Sequence, residues 1–147
     1  MYRTILVPLD GSKRAERILP HAGSLAKHYR SEIVFLKVEE EPVLLGWDEV
    51  VDQSKAHTES EARRKQNESY LMEQKDNFQK EGIETQIRIA YGPVVKAIVN
   101  TANEIDSDLI ALASHGLSAS PRMSYGSVAA GLLQAIDRPL FIIRSQD

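Results

Sequence analysis

The chain has no cysteine in 147 residues. That excludes a disulfide, a thiolate zinc centre and a cysteine nucleophile. It has no Gly-x-x-x-x-Gly-Lys-[Ser/Thr] stretch, so the lysine that usually reaches nucleotide phosphates is missing. It has no basic excess either. The formal net charge is −3, which argues against a nucleic-acid-binding face. No long apolar run opens the chain: Met-Tyr-Arg-Thr-Ile-Leu-Val-Pro-Leu-Asp reaches a charge too early for a signal peptide or a membrane span. The expected location is cytoplasmic, with no membrane partner. Internal repeats and low-complexity linkers are absent, so residues 1–147 are read as one domain. What remains is ordinary for a globular protein, with 42% apolar and 27% charged residues.

Strand and helix patterns alternate. Thr4-Ile-Leu-Val-Pro-Leu9 is a short apolar run ended by Asp10-Gly11-Ser12. Ala15, Ile18, Leu19, Ala22, Leu25 and Ala26 then follow helical spacing, with Ser12 as a candidate N-cap. Pro20 falls inside that pattern and predicts a kink or a split. Glu32 to Val38 reads as the second strand. Gln53 to Lys80 reads as a long, mostly exposed helix whose second half packs better, with Gly82 as its stop. Glu84 to Ala90 alternates like a strand near an edge, and Val94 to Glu104 is amphipathic. Asp108 to Ala113, a helix over 126–136 and Pro139 to Ile143 complete the pattern. Five strands with intervening helices predict an α/β fold: a five-stranded parallel sheet, Rossmann-like, with helices on both faces.

The segment after the fourth strand carries the chemistry. Ala113-Ser-His-Gly116 is followed by nine residues and then by Gly126-Ser127-Val128 at a helix start. A small-residue loop that leaves a strand and ends at a helix N-terminus can hold a phosphate on backbone N–H groups. If the sheet order reverses after the second crossover, the first and fourth strands are neighbours. Asp10 then lies across one crevice from Ala113 and Gly116, where it suits a ribose hydroxyl or a metal. Blander readings exist for each residue. Asp10-Gly11-Ser12 could be only a capped turn, Gly116 only a residue of positive φ, and Gly126-Ser127 only a hinge and an N-cap.

The chain resembles the universal stress protein family along essentially its whole length. The resemblance rests on Ile5-Leu-Val-Pro-Leu-Asp-Gly-Ser12, on Asp106 to Gly116 and on Pro139 to Ile143. Nucleotide-binding members carry Gly, two residues, Gly, nine residues, then Gly-Ser or Gly-Thr. Here Gly116 and Gly126-Ser127 keep that spacing, Ala113 replaces the first glycine, and Pro121 lies inside the loop. The resemblance implies an adenine nucleotide alpha hydrolase-like fold and an adenine nucleotide ligand: ATP, or AMP or ADP, with magnesium as a candidate companion. It implies that Asp10 approaches the ribose and that Pro8, Leu9 and Val38 line the adenine pocket. Ala113 and Gly116 would let the backbone approach ribose and phosphates, while Gly126, Ser127 and Val128 would donate to the phosphates. Arg122 is the loop cation that could reach them.

The implied role is a stress-response protein acting as a nucleotide-dependent signal or sensor. The alternative is a family member without nucleotide that works as a dimeric partner-binding module. Without the lysine and with no carboxylate in the loop, the expectation is at most slow ATP hydrolysis. His115 is not assigned to catalysis, because no serine or acidic partner is implied beside it. His21 and His28 share a helix face but lack metal-ligand companions, so no metal site is expected there. The apolar, uninterrupted strand Leu140-Phe-Ile-Ile143 predicts a homodimer through a sheet edge. Val43-Leu-Leu-Gly-Trp47 is a candidate lid or protein-partner site.

Overall fold

Local hydrophobic period accounts for most of the elements. The structure, a computed structural model, describes residues 1–40, 53–116 and 126–145, and within the long helix it describes side chains from residue 58 onward. The strands are β1 (Thr4–Pro8), β2 (Glu32–Glu39), β3 (Thr85–Tyr91), β4 (Leu109–Ala113) and β5 (Leu140–Ile143). The helices are α1 (Leu19–Tyr29), α2 (Gln53–Lys80), α3 (Val94–Ile105) and α4 (Ser127–Ala135). A 3-10 turn at Ala15–Ile18 precedes α1. The amphipathic pattern of 15–26 is therefore split in two, and Pro20 sits in the first turn of α1. Proline is tolerated there because an N–H at that position has no partner within the helix. Val43 to Trp47 lies outside the described residues.

The sheet order is β3-β2-β1-β4-β5 and every pairing is parallel. The chain winds outward from β1 to β3, then crosses back to place β4 on the other side of β1. That reversal separates the carboxyl ends of β1 and β4 and opens a crevice between them.

Alternation along the strands builds two cores. Ile5, Val7, Ile33, Phe35, Leu109 and Ala111 face α1 and α2. Leu6, Val34, Leu36, Ile110 and Leu112 face α3 and α4. Because both faces are covered, the central strands read as continuous apolar runs rather than as alternating ones. Helix α2 has two characters. Residues 58–66 are all exposed, whereas Asn67, Leu71, Gln74 and Phe78 are buried. Phe78 meets Phe35 edge-on at 5.0 Å, a contact worth about 0.5–1.5 kcal/mol beyond area burial. The Lys27–Glu81 ion pair near the end of α2 is half exposed on both sides. Such pairs contribute only ~0–1 kcal/mol, so apolar packing is the main anchor of this helix. On the other face Gly131 of α4 lies against Val95 of α3. A Cβ there would come within 2.7 Å of Val95 Cγ2, which lets the two helices approach closely. Among the described residues, no helix is long and apolar enough to cross a membrane.

Candidate functional site

The crevice at the carboxyl edge of the sheet is a cleft of about 260 Å³. Strand ends β1, β2 and β4 form its floor. Helices α3 and α4 form an apolar wall with Val94, Ile98, Val128 and Ala129. The turn after β1 faces that wall. Pro8, Leu9, Asp10, Val38, Ala113, Gly116, Gly126, Ser127 and Val128 all line this one cleft. They are the described members of the set expected from the sequence. Arg122 and Pro121 lie outside the described residues.

The turn after β1 is built by its own side chains. Asp10 Oδ1 accepts from the Ser12 N–H at 2.9 Å and from the Ser12 hydroxyl at 2.6 Å. Ser12 Oγ in turn accepts the Ala15 N–H at 3.1 Å, where the 3-10 turn starts. Ser12 Oγ therefore closes the start of this segment, but Ser12 is not the N-cap expected of it: the cap positions fall at Arg14 for the 3-10 turn and at Ile18 for α1. The Asp10 carboxylate is fixed by the turn and reaches across the cleft to Gly116. A Cβ on Gly116 would overlap Asp10 Oδ2. Among the described residues the positive-φ glycines are Gly11, Gly82 and Gly92, so Gly116 is not glycine for its backbone angle. It is glycine because the carboxylate of Asp10, from a turn more than a hundred residues away in the chain, lies against its Cα.

The sequence reading missed several contributors. Arg14 donates from its guanidinium to the Gly116 carbonyl. Lys37 also lines the cleft, on the strand position just before Val38, and its Nζ is 3.7 Å from Glu39 Oε1. Glu39 also accepts a hydrogen bond from Asn67 Nδ2 at 2.6 Å, and Glu16 accepts from Tyr70 OH at 2.9 Å. These two bonds pin α2 beside the cleft. Burial, and then the bond to Glu16, push the Tyr70 phenol far above its usual pKa, so it stays a donor throughout the ordinary pH range. The only sequence signal for Arg14 and Lys37 is their closeness in the chain to Asp10 and Val38.

His115 has a serine partner after all, contrary to the expectation. Ser114 Oγ lies 2.8 Å from His115 Nδ1, and both residues are buried. Ser114 Oγ also accepts the Ser145 N–H at 3.1 Å, and Ser145 Oγ accepts the His115 N–H at 3.2 Å. A hydroxyl so engaged and shielded is a structural staple between the end of β4 and the tail after β5. It is not positioned as an exposed nucleophile. The pair His21 and His28 makes ring contacts, with Phe141 and Tyr29 respectively. Among the described residues, no three His, Asp or Glu side chains group as metal ligands.

Helix α4 begins at the cleft. Gly126 is its cap residue, extended at φ −70° and ψ 168°, and no side chain caps the helix. The Gly126 N–H bonds to Ser114 O at 2.7 Å, which ties the helix start to the end of β4. Ser127 is thus the first helical residue, exposed, and not the N-cap that one reading allowed. The first turn of an α-helix has N–H groups without partners inside the helix. Here they open onto the cleft that Gly116 also lines, and among the described residues no side chain caps them.

The family model of the universal stress protein family matches residues 1–144. The chain belongs to the universal stress protein family. Universal stress protein YxiE of Bacillus subtilis is 29% identical over 149 residues, covering 98% of this chain and all of that protein. Among solved structures, the MJ0577 protein of Methanocaldococcus jannaschii superposes with a TM-score of 0.86 at 22% identity. It covers 100% of this chain, which covers 99% of it. Two further universal stress proteins share the fold and were solved with ligands. One, in complex with cAMP, has a TM-score of 0.69 at 21% identity, covering 99% of this chain and 98% of its own. The other, from Archaeoglobus fulgidus in complex with dAMP, has a TM-score of 0.64 at 19% identity, covering 97% and 98%. The five-stranded parallel sheet with two helical layers is the universal stress protein fold.

Proposed function

We propose that this universal stress protein binds an adenine nucleotide in the carboxyl-edge cleft and acts in the cytoplasm as a nucleotide-dependent signal or sensor. The observation that carries this reading is the N-terminus of α4, uncapped by any side chain among the described residues, opening with Gly116 onto a cleft with an apolar wall. Two solved relatives of the same fold hold cAMP and dAMP, which supports an adenine ligand. The cleft volume lies just below the range of ~300–1,000 Å³ typical of ligand pockets. A nucleoside suits it, with phosphates outside, between Gly116 and Ser127. Val38 and the α3 wall take the base, Asp10 faces the ribose, and Gly126 to Val128 offer N–H groups to the phosphates. ATP, with or without magnesium, is the proposed ligand, with AMP and ADP as shorter versions. The protein is further proposed to be a homodimer through β5.

Mass spectrometry of small molecules released from the purified, denatured protein tests the reading, and copurifying ATP or AMP is the expected result. Titration calorimetry of Ser127→Ala tests the site. Loss of one hydroxyl donor to a charged phosphate is expected to weaken ATP binding by about 1.5–3 kcal/mol before compensation. An unchanged affinity would remove Ser127 from the site.

Turnover is expected to be slow. A helix N-terminus holds ground and transition states about equally, so it supplies affinity without acceleration. Arg14 is committed to a backbone carbonyl and Lys37 sits beside Glu39. Single-turnover phosphate release from stoichiometric ATP with magnesium should fall well below ~1 per second, the low end of typical enzymes. A rate near that value, abolished in Asp10→Asn, would make the protein an enzyme.

A further inference from the structure

One turn grips one residue from two sides. Asp10 and Arg14 both belong to the turn after β1, and both act on Gly116, at the far side of the cleft. The Asp10 carboxylate lies against the Gly116 Cα, closely enough that a Cβ would overlap it. The Arg14 guanidinium donates to the Gly116 carbonyl. The turn is itself rigid, because Ser12 bonds to Asp10 and receives the Ala15 N–H. From the opposite side, the residues before Gly116 are held by Ser145 and by the Gly126 N–H on Ser114 O.

We propose that Arg14 is a positioning residue of the nucleotide site: it sets the Gly116 carbonyl and so presents the β4 end, in advance, to the phosphates of an adenine nucleotide. The inference rests on the nucleotide reading above and adds to it a residue and a division of labour. A guanidinium is suited to the task because it is always charged and offers planar donors, so its bond to a carbonyl is charge-assisted and directional. A carbonyl turned towards the guanidinium is turned away from an incoming phosphate, which would otherwise meet it as a like dipole. Ordering the site before binding removes an entropic cost from the binding step. The base and ribose contacts, at Val38 and Asp10, do not pass through this carbonyl. Arg14 therefore acts on the phosphate-dependent part of the affinity.

The test compares wild type with Arg14→Ala in two measurements. The first is amide hydrogen exchange at Ser114, His115 and Gly116 without nucleotide. The expected result is faster exchange at His115 and Gly116 in the variant, with unchanged protection in the strands of the sheet. Equal exchange in the two proteins would overturn the clamp whether or not any nucleotide binds. The second is calorimetric titration with adenosine, AMP and ATP. Arg14→Ala should lose about tenfold or more for ATP, the scale of one charge-assisted hydrogen bond, and stay within about twofold for adenosine. Wild-type-like ATP affinity in the variant would overturn the proposal, as would equal losses for adenosine and ATP, which signal a general collapse of the cleft. Failure of the wild type to bind any of the three would instead refute the nucleotide reading. The positioning of Gly116 would then be judged by exchange alone.

Discussion

Gly116→Val is expected to cripple nucleotide binding. The new Cβ would overlap Asp10 Oδ2, and Asp10 cannot swing aside cheaply, because Ser12 holds its other oxygen through two hydrogen bonds. Either the carboxylate leaves its turn or the end of β4 moves, and both shifts distort the cleft. The overlap is too deep for a small relaxation to relieve, and overpacking of this kind costs about 1–3 kcal/mol in stability, occasionally more. The effect on affinity should fall at the upper end of that range or beyond, because Asp10 and the end of β4, the proposed ribose and phosphate contacts, are disturbed together. A loss of at least about a hundredfold, or ~2.7 kcal/mol, is expected in ATP titration. A double-mutant cycle identifies the cause. If the stability cost of Gly116→Ala comes from Asp10, it should largely vanish in an Asp10→Ala background, since only residues in contact couple by more than about 0.5 kcal/mol. A cost that persists without Asp10, or ATP affinity equal to wild type in Gly116→Val, would refute this account of the site.

The unmodified protein is expected to sediment as a dimer at micromolar concentration, and Ile142→Pro as a monomer. Strand β5 ends the sheet, with β4 on one side and no strand among the described residues on the other. Pro139 O and Ile143 O accept bonds from β4 at Ile110 N and Ser114 N. Because strand residues alternate, Leu140 and Ile142 then turn their N–H and C=O groups towards the open edge. All four β5 residues are only half-buried, which leaves apolar surface for a second copy to cover. A two-fold axis across this edge would pair β5 with itself. Proline at position 142 deletes an outward N–H and leaves the ladder to β4 intact, a placement that edge strands tolerate. A monomeric wild type would count against self-association. A variant that remains dimeric would move the interface away from β5.

Much of this architecture is legible in the chain. The long helix Gln53–Lys80 is recognisable from its sparse apolar points, and its packed half is the half that holds Leu71 and Phe78. Pro20 marks the split between the 3-10 turn and α1. Gly116 and Gly126-Ser127, singled out by their spacing, line one cleft. The reasons for individual residues are less legible. Gly116 looks like a turn glycine, and Ser127 looks like a cap. The structure assigns the cap to Gly126 and gives Gly116 a steric role instead. His115 looks isolated until the fold places Ser114 Oγ on its ring and Ser145 on its backbone.

The sequence by itself determined the alternation of strand and helix, the parallel α/β class, the family and the segments that meet at the carboxyl edge. Those follow from hydrophobic period, capping chemistry and motif spacing, which are local and survive in a one-dimensional string. Only the tertiary structure decided how the cleft is held. Arg14 and Gly116 are 102 positions apart and Ser114 and Ser145 are 31 apart. No periodicity links such pairs. They meet because β4 crosses back to lie beside β1 while β5 lies beside β4, and hydrogen-bond partners are chosen by distance in space rather than along the chain.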